Sequence, residues 1–390
     1  MRTVIAHARI LTNTGFQDDA SILLEDGHVV ALDADMSDAD VFVDFQGDHL
    51  VPGFFDIQVN GGGGVLFNDT PDVEGLQAIA RAHLANGTTS LLPTLISDTL
   101  DVVDAGMRAV EAARDAGETM IAGIHIEGPF LNPKKCGIHD PDRFIPLDDD
   151  AIALLTSLRS GRTLVTLAPE MCRPDQVRKL VEAGVTVSLG HTNGRYADAQ
   201  SALAAGATGF THLFNAMPQM HSREPGIVGA ALESGSAWTS LIVDGHHVDP
   251  VMLKLASRLR PADKLILITD AMPNAGTTMK EFTLQGRAIH VADGQCRDAN
   301  GVLAGAHLTL IDAVRNATHL MDIPIATALA MASANPADFM GLGSAIGRIA
   351  PGRRADFVRL TTDFNIADTW QAGAPLASAQ NSRRRSSASH

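Results

Sequence analysis

Short apolar runs alternate with amphipathic stretches along the middle of the chain. Eight runs between residues 53 and 270 have the pattern of strands that end in polar side chains, namely GFFDIQVN, TSLLPTL, MIAGIHIEG, TLVTLAPE, VTVSLGH, TGFTHLF, TSLIVDGHH and KLILITD. The segments between them, such as VEGLQAIARAHLANG, carry apolar residues three and four apart, which is typical of amphipathic helices. This alternation predicts parallel strands joined by crossover helices. Eight such units in roughly 250 residues favour a closed (β/α)8 barrel, with a doubly wound open sheet as the competing architecture.

The two ends of the chain have a different pattern. Residues 1–52 consist of short β-like pieces separated by turns, and the stretch GRIAPGRRADFV near residue 350 is β-like again. We expect residues 346–380 to return to residues 1–52 and complete a small β domain, which leaves 53–345 for the barrel. A strand-turn-strand pattern over 280–301 predicts an insertion after the eighth strand, and the polar tail 381–390 is expected to be disordered.

Composition and charge narrow the class of partner. The 390 residues are 45% hydrophobic, and the formal net charge is −15. Nucleic acid and anionic membrane surfaces are disfavoured as partners, because binding them requires an excess of Lys and Arg, and an anionic ligand would need a local basic site. Three cysteines are too few for a disulfide framework, and no run of about 18 apolar residues occurs. We therefore expect a cytoplasmic protein without a membrane span.

The polar ends of the eight apolar runs are the candidate chemistry. They are Asn60, Thr94, Glu127, Glu170, His191, His212, Asp244 with His246 and His247, and Asp270. In a (β/α)8 barrel the active site lies at the carboxyl ends of the strands, so side chains far apart in sequence meet at one mouth. The pattern predicts that these side chains converge.

Two histidines and a carboxylate within this set predict a metal site. A single histidine at a strand end is more often a hydrogen-bonded or surface residue than a ligand. His191 and His212 follow successive strands, with Glu127 two strands earlier and Asp270 after the eighth. Two imidazoles and one carboxylate around an open position are a usual donor set for catalytic zinc, whereas a hard, oxygen-preferring cation would need more carboxylates.

An ordered set of motifs resembles one enzyme family. HIEGPFLNPKKCGIHDP, SLGHTN, THLFNAM, REPGIVGAAL, DGHHV, LITDAMPNAG and GRIAPGRRADFV occur in this order. Together they resemble the N-acetylglucosamine-6-phosphate deacetylases of the amidohydrolase superfamily, from VPGFFDIQVNG to about residue 360. The resemblance implies a (β/α)8 barrel with a small β-sandwich domain formed by both chain ends. It also implies metal-dependent hydrolysis of N-acetyl-D-glucosamine 6-phosphate to D-glucosamine 6-phosphate and acetate.

The resemblance also assigns roles to individual residues. It makes Asp270 the general base and acid, and His139 a residue that orients the substrate and polarises its carbonyl. The metal ligands that it implies are Glu127, His191 and His212. The sugar-phosphate contacts that it implies are Asn215, Ala216, Arg223 and His247, with His139 beside them. In this family the arginine and the histidine can reach the neighbouring subunit's site, so a homodimer with Arg223 and His247 near the interface is expected.

The first barrel strand departs from the wider superfamily. Many members end this strand with a His-x-His metal pair, but here the positions are Gln58 and Asn60, which we interpret as remnants of a first-strand site. Amides are poor zinc ligands, so one divalent metal per subunit is expected. Zn²⁺ is the first choice, and Fe²⁺, Mn²⁺ and Co²⁺ stay open because imidazole and carboxylate donors accept each of them.

Two alternatives stay open at this point. One is a related amidohydrolase that acts on another N-acyl substrate, such as an N-acetylgalactosamine phosphate or an N-acyl amino acid. The other is a barrel that has lost its metal and serves as a scaffold. The presence of Glu127, His191, His212 and Asp270 together argues against the scaffold.

Overall fold

A computed structural model describes residues 1–35, 37 and 39–376. Its first strands are β1 Arg2–Thr12, β2 Gly15–Glu25, β3 His28–Leu32, β4 Val41–Asp44 and β5 His49–Pro52. The next elements are β6 Phe54–Val59, β7 Gly61–Gly62, β8 Val65–Leu66, α1 Val73–Leu84, β9 Thr88–Ile96, α2 Leu100–Asp115, β10 Gly123–Glu127, α3 Asp149–Leu155, β11 Arg162–Leu167, α4 Pro174–Glu182, β12 Thr186–Leu189, α5 Tyr196–Ala204, β13 Gly209–Phe210, α6 Gly226–Glu233, β14 Trp238–Ile242, α7 Pro250–Leu259 and β15 Leu265–Ile268. The last are β16 Glu281–Leu284, β17 Arg287–Ala292, β18 Gln295–Asp298, β19 Leu303–Ala306, α8 Leu310–Leu320, α9 Ile325–Met331, α10 Ala334–Phe339, β20 Phe357–Leu360, β21 Ile366–Gln371 and β22 Ala374–Pro375.

Eight parallel strands form the barrel. Their order is β6, β9, β10, β11, β12, β13, β14 and β15, each paired in parallel with the next. The last strand returns to the first, because the amide of Asp270 donates to the carbonyl of Gln58 at 3.0 Å and Val59 bridges Ala271. The predicted (β/α)8 barrel is confirmed, and the open doubly wound sheet is wrong.

Burial explains why the barrel strands carry near-continuous apolar runs. All nine residues of β9 and all four of β15 are buried, as expected when a parallel sheet is covered by helices on one side and filled by side chains on the other. The helices present one apolar stripe to this core. In α1, Leu76 and Ile79 are buried, and the Asp72 carboxylate caps the first turn by accepting from the amide of Gly75 at 2.8 Å.

Strands from both chain ends share one mixed sheet. Its order is β22, β21, β20, β5, β1, β2 and β3, with β4 also paired to β1. β20 pairs antiparallel with β5, and Phe45, Phe357 and Trp370 pack in the core of this sheet. The limits 1–52 with 346–380 and 53–345 stay a prediction for the domain boundaries. The tail predicted at 381–390 lies outside the described residues.

The insertion after the eighth strand is a four-stranded antiparallel sheet, β16 to β19. Phe282, Leu284 and Ile289 pack against Ile138 and Met272, which belong to loops at the carboxyl end of the barrel. The insertion therefore covers part of the barrel mouth. None of the helices in the described ranges has the length and apolarity needed to cross a bilayer.

Two short helices, α9 and α10, follow each other closely after α8. Pro336 has no N–H with which to continue the hydrogen-bond ladder, so the chain starts a new helix with this proline in its first turn.

Candidate active site

Four predicted site residues lie together at the carboxyl end of the barrel strands. Glu127 is the last residue of β10, while His191, His212 and Asp270 each lie two residues beyond a strand. All except Glu127 have a left-handed backbone, with φ of 46°, 34° and 51°. Non-glycine residues adopt this conformation at an energetic cost, and such strain clusters at functional sites. The left-handed conformation turns the chain away from the strand at the residue whose side chain enters the barrel mouth.

The donor atoms of Glu127, His191 and His212 converge on one point. Glu127 Oε1 lies 2.9 Å from His212 Nε2 and 3.3 Å from His191 Nε2, and the two Nε2 atoms lie 3.1 Å apart. Ligands about 2.1 Å from a tetrahedral metal lie about 3.4 Å from one another, so a modest expansion would fit a divalent cation. His191 Nδ1 lies 3.0 Å from the carbonyl of Lys135, which accepts its hydrogen and leaves the Nε2 lone pair free for a metal.

His139 offers a second way to complete a metal group. Glu127, His139 and His191 have ligand atoms that all lie within 4.8 Å of one another. His139 Nε2 is 3.8 Å from Glu127 Oε2, a longer separation than those that join Glu127 to His191 and His212. The geometry therefore supports Glu127, His191 and His212 as the tighter donor group.

Burial and neighbouring charges shift the pKa values of the group. Burial would raise the pKa of Glu127, but its close contacts with His191 and His212 hold it well below its usual range. Burial opposes the charged form of His212, yet the hydrogen bond to Glu127 leaves its pKa raised overall. Burial and then the charge of Glu127 raise the pKa of Asp270 to about 6. Burial, followed by the charge of His191, lowers the pKa of His139 to about 3, which leaves this imidazole neutral.

The first-strand amides contact the two carboxylates. Gln58 Nε2 donates to Glu127 Oε1 at 3.0 Å and to Asp270 Oδ1 at 3.3 Å. Asn60 Nδ2 donates to Asp270 Oδ1 at 2.6 Å, and its Oδ1 is buried without a hydrogen-bond partner among the described residues. Both amides therefore belong to the site as hydrogen-bond donors.

The residues predicted to bind the substrate do not all reach the cavity. A cavity of about 190 Å³ lies beside the donor group and is lined by His139, Asn215, Ala216 and His247, among others. The His247 imidazole is fixed by Asp244, whose Oδ2 lies 2.6 Å from Nδ1. Arg223 is exposed on the loop before α6 and does not line the cavity. Within the described part of the chain, no Lys or Arg lines this cavity.

Two residues that surround the His139 segment were not found from the sequence. Ser97 lies at the end of β9, with its amide 3.3 Å and its Oγ 2.8 Å from His139 Nδ1. Gln285, at the turn between β16 and β17, contacts both Ser97 and Asp140. A serine after a strand and a glutamine in a hairpin turn are ordinary residues at such positions, so the pattern gave no signal for either.

Comparison with known proteins agrees with this fold. The family model described as the amidohydrolase family matches residues 49–376. A curated N-acetylgalactosamine-6-phosphate deacetylase from Shewanella sp. (strain ANA-3) is 38% identical over 381 residues, which cover 96% of each chain. An N-acetylglucosamine-6-phosphate deacetylase from Haemophilus influenzae is 34% identical over 330 residues, covering 84% of this chain and 86% of the relative. The crystal structure of N-acetylglucosamine-6-phosphate deacetylase from Pasteurella multocida superposes with a TM-score of 0.92 at 33% identity, over 96% of this chain and 99% of that one. This protein therefore belongs to the amidohydrolase family.

Proposed function

We propose that this protein is a metal-dependent deacetylase that converts N-acetyl-D-glucosamine 6-phosphate to D-glucosamine 6-phosphate and acetate. The observation that carries the proposal is the buried donor group of Glu127, His191 and His212, with Asp270 on its edge. The names of the relatives support the same substrate class. The metal-free scaffold is disfavoured, since a buried cluster of this kind is costly unless it serves a ligand.

Glu127, His191 and His212 would hold one divalent cation, with Zn²⁺ as the first choice. When bound, the cation supplies a Lewis acid that activates water near neutral pH and polarises the amide carbonyl. The carbonyl of Lys135 keeps the His191 ring oriented for this role. Gln58 also donates to the Glu127 carboxylate and restrains it.

Asp270 is the proton carrier in this proposal. Its pKa of about 6 allows the carboxylate to accept a proton from the attacking water and then return it. The proton must reach the amide nitrogen, because an amine leaves poorly unless it is protonated. Asn60 holds one carboxylate oxygen at 2.6 Å, so the other oxygen is the one available to the proton.

His139 acts on the carbonyl side of the substrate. The Ser97 amide can only donate, so His139 Nδ1 accepts and the ring hydrogen lies on Nε2. No acceptor among the described residues lies within hydrogen-bond distance of this Nε2, because Glu127 Oε2 is 3.8 Å away. The Nε2–H is therefore free to donate to the carbonyl oxygen as negative charge develops there.

Phosphate binding is expected to involve two subunits. A dianionic phosphate benefits from a guanidinium, yet the cavity of about 190 Å³ has no cationic Lys or Arg side chain from the described chain. We propose a homodimer in which Arg223 serves the neighbouring subunit's site, with Asn215, Ala216 and His247 as the contacts from within the chain. We also place the enzyme in the cytoplasm, where its three free cysteines would stay reduced.

N-acetyl-D-galactosamine 6-phosphate is the second candidate substrate. One relative that carries this activity in its name is 38% identical over 96% of the chain, slightly more than the 34% of the Haemophilus influenzae deacetylase. The two sugars differ only in the orientation of one hydroxyl, so the acetamide and the phosphate present the same groups to the site. An N-acyl amino acid is disfavoured because it has no phosphate.

Acetate release tests the proposal directly. Protein of measured metal content is assayed with N-acetylglucosamine 6-phosphate, N-acetylgalactosamine 6-phosphate and unphosphorylated N-acetylglucosamine. The expected result is rapid release from a phosphorylated sugar, with about one metal per chain, and slow release from the unphosphorylated one. Absence of release from every phosphorylated sugar by metal-replete protein would contradict the proposed function.

A further inference from the structure

The tip of the hairpin between β16 and β17 contacts the segment that carries His139. The side-chain amide of Gln285 forms hydrogen bonds on both of its ends. Its Nε2 donates to the carbonyl of Ser97 at 2.7 Å, and its Oε1 accepts from the amide of Asp140 at 3.3 Å. One side chain from outside the barrel thus joins the end of a barrel strand to the residue that follows His139.

A second side chain of the same tip holds the residue on the other side of His139. Arg287 Nη1 donates to the carbonyl of Ile138 at 3.4 Å. The backbone on both sides of His139 is therefore bonded to the hairpin tip, and the ring itself is buried with 2% of its surface exposed. A shift of this tip would move His139 with it.

Ser97 transmits the contact to the imidazole ring. Its amide and its Oγ lie 3.3 and 2.8 Å from His139 Nδ1. Because the amide is an obligatory donor, Nδ1 is an acceptor and the neutral ring carries its hydrogen on Nε2. Gln285 holds the Ser97 carbonyl, so it fixes the residue that determines which ring nitrogen faces the cavity.

The backbone of Gln285 adds an independent observation. Leu284 pairs with Arg287, so Gln285 and Gly286 form a two-residue turn, with φ of 47° and 79°. Such turns favour Asn or Gly, because both central residues have positive φ. A glutamine in the first position is strained, and strain that the surrounding structure maintains is a reason to look for a function.

We propose that Gln285 is a positioning residue for His139, and that it holds Ser97 and Asp140 so that the Nε2–H of His139 stays directed at the substrate carbonyl. The role in catalysis rests on the proposed deacetylase function. The position of the ring and its tautomer do not rest on it. The tip of the hairpin between β16 and β17 thereby positions His139, in addition to the cover that the insertion gives to the barrel mouth.

The variant Gln285→Gly separates positioning from folding. Glycine suits the left-handed turn, and this relief offsets the loss of both side-chain hydrogen bonds, so the fold should be about as stable as before. The matched control is Asp293→Gly, in the turn between β17 and β18. Asp293 also has positive φ, at 50°, is exposed, and is followed by Gly294 at 75°, but it has no hydrogen bond to the His139 segment.

For Gln285→Gly we expect kcat to fall about ten- to a hundred-fold, with KM within about two-fold of the wild type and with unchanged Tm and metal content. Asp293→Gly should keep the wild-type kcat. Gln285→Asn retains a shorter amide in a turn that tolerates it, and we expect part of the lost kcat to return. Wild-type kcat in Gln285→Gly, or an equal loss in Asp293→Gly, would overturn the proposal.

NMR of the ¹⁵N-labelled imidazole supplies a readout that does not depend on turnover. In the wild-type protein His139 should show the Nε2–H tautomer, and Gln285→Gly should broaden or shift its ring signals as the ring becomes mobile. The same His139 signals in both proteins would contradict the positioning role, even if the substrate proved to be different. Failure of the wild type to release acetate would contradict the proposed function alone.

Discussion

The buried carboxyl group of Asp56 should make the stability of this protein depend on pH. Asp56 lies in β6, is 0% exposed, and burial raises its pKa from 3.8 to about 7. A carboxyl whose pKa is higher in the folded state binds its proton more tightly there. The contribution of Asp56 to stability is therefore full below pH 3.8 and is lost as pH rises through 7. From these pKa values, ionisation of Asp56 costs about 2 kcal/mol of stability at pH 5 and about 4 kcal/mol at pH 8.

Asp56→Asn should remove this dependence, because the amide copies the protonated carboxyl. Oδ1 of Asp56 accepts from the amides of Gln58 and Thr269 at 3.2 and 3.3 Å, and asparagine keeps this acceptor. The new Nδ2 would donate to Thr269 Oγ1, which can direct its own hydrogen to the carbonyl of Gln58, 3.4 Å away. The variant should therefore gain stability relative to the wild type as pH increases, by about 2 to 3 kcal/mol between pH 5 and 8.

Urea unfolding of both proteins at pH 5, 6, 7 and 8 measures this difference, with the free metal concentration held equal. Metal binding depends on pH, but it contributes equally to both proteins and cancels in the comparison. A difference in stability that stays constant from pH 5 to 8 would refute the argument. It would show that the two amides and the Thr269 hydroxyl keep Asp56 ionised despite its burial.

Three further predictions concern the site itself. Asp270→Asn should retain metal but lose about 10²- to 10⁴-fold in kcat, and near wild-type acetate release would remove Asp270 from proton transfer. His212→Ala should lower the metal content of the purified protein, measured by mass spectrometry, because only two of the three proposed ligands stay in place. Full metal occupancy in this variant would point to His139 as the third ligand. Arg223→Ala should raise KM for the phosphorylated sugar about ten-fold or more, and an equal effect on unphosphorylated N-acetylglucosamine would contradict phosphate binding.

The barrel could be predicted because each strand and each helix has its own recognisable pattern of apolar residues. Parallel strands covered on both sides need continuous apolar runs, and their helices need one apolar stripe, so VTVSLGH and TGFTHLF are recognisable in isolation. Polar residues such as His191 and His212 at the ends of these runs then predict a common mouth. The place of the site can therefore be predicted from the topology of the barrel, even though its residues are far apart in sequence.

The contacts that refine the site could not be predicted in this way. Gln285 acts through a hairpin that packs over the barrel, and nothing in FTLQGRAIHV distinguishes it from a turn residue. The left-handed backbone of His191 and Asp270 was also unforeseen, because positive φ is uncommon for every residue except glycine, even though Asp and His adopt it more often than most. Both features depend on tertiary packing, which a local pattern does not record.

In the proposed one-metal site, the first-strand amides supply part of what a second cation would supply. Two buried carboxylates repel each other, and a second metal would relieve that repulsion between Glu127 and Asp270. Gln58 and Asn60 reduce this repulsion because their side-chain N–H groups donate hydrogen bonds to the carboxylates. A carboxylate can only accept hydrogen bonds, so the amide nitrogens, and not the amide oxygens, must face Glu127 and Asp270. A second cation placed here would meet amide hydrogens instead of lone pairs. Burial and then the charge of Glu127 raise the pKa of Asp270 to about 6, where the same carboxyl can both accept and return a proton.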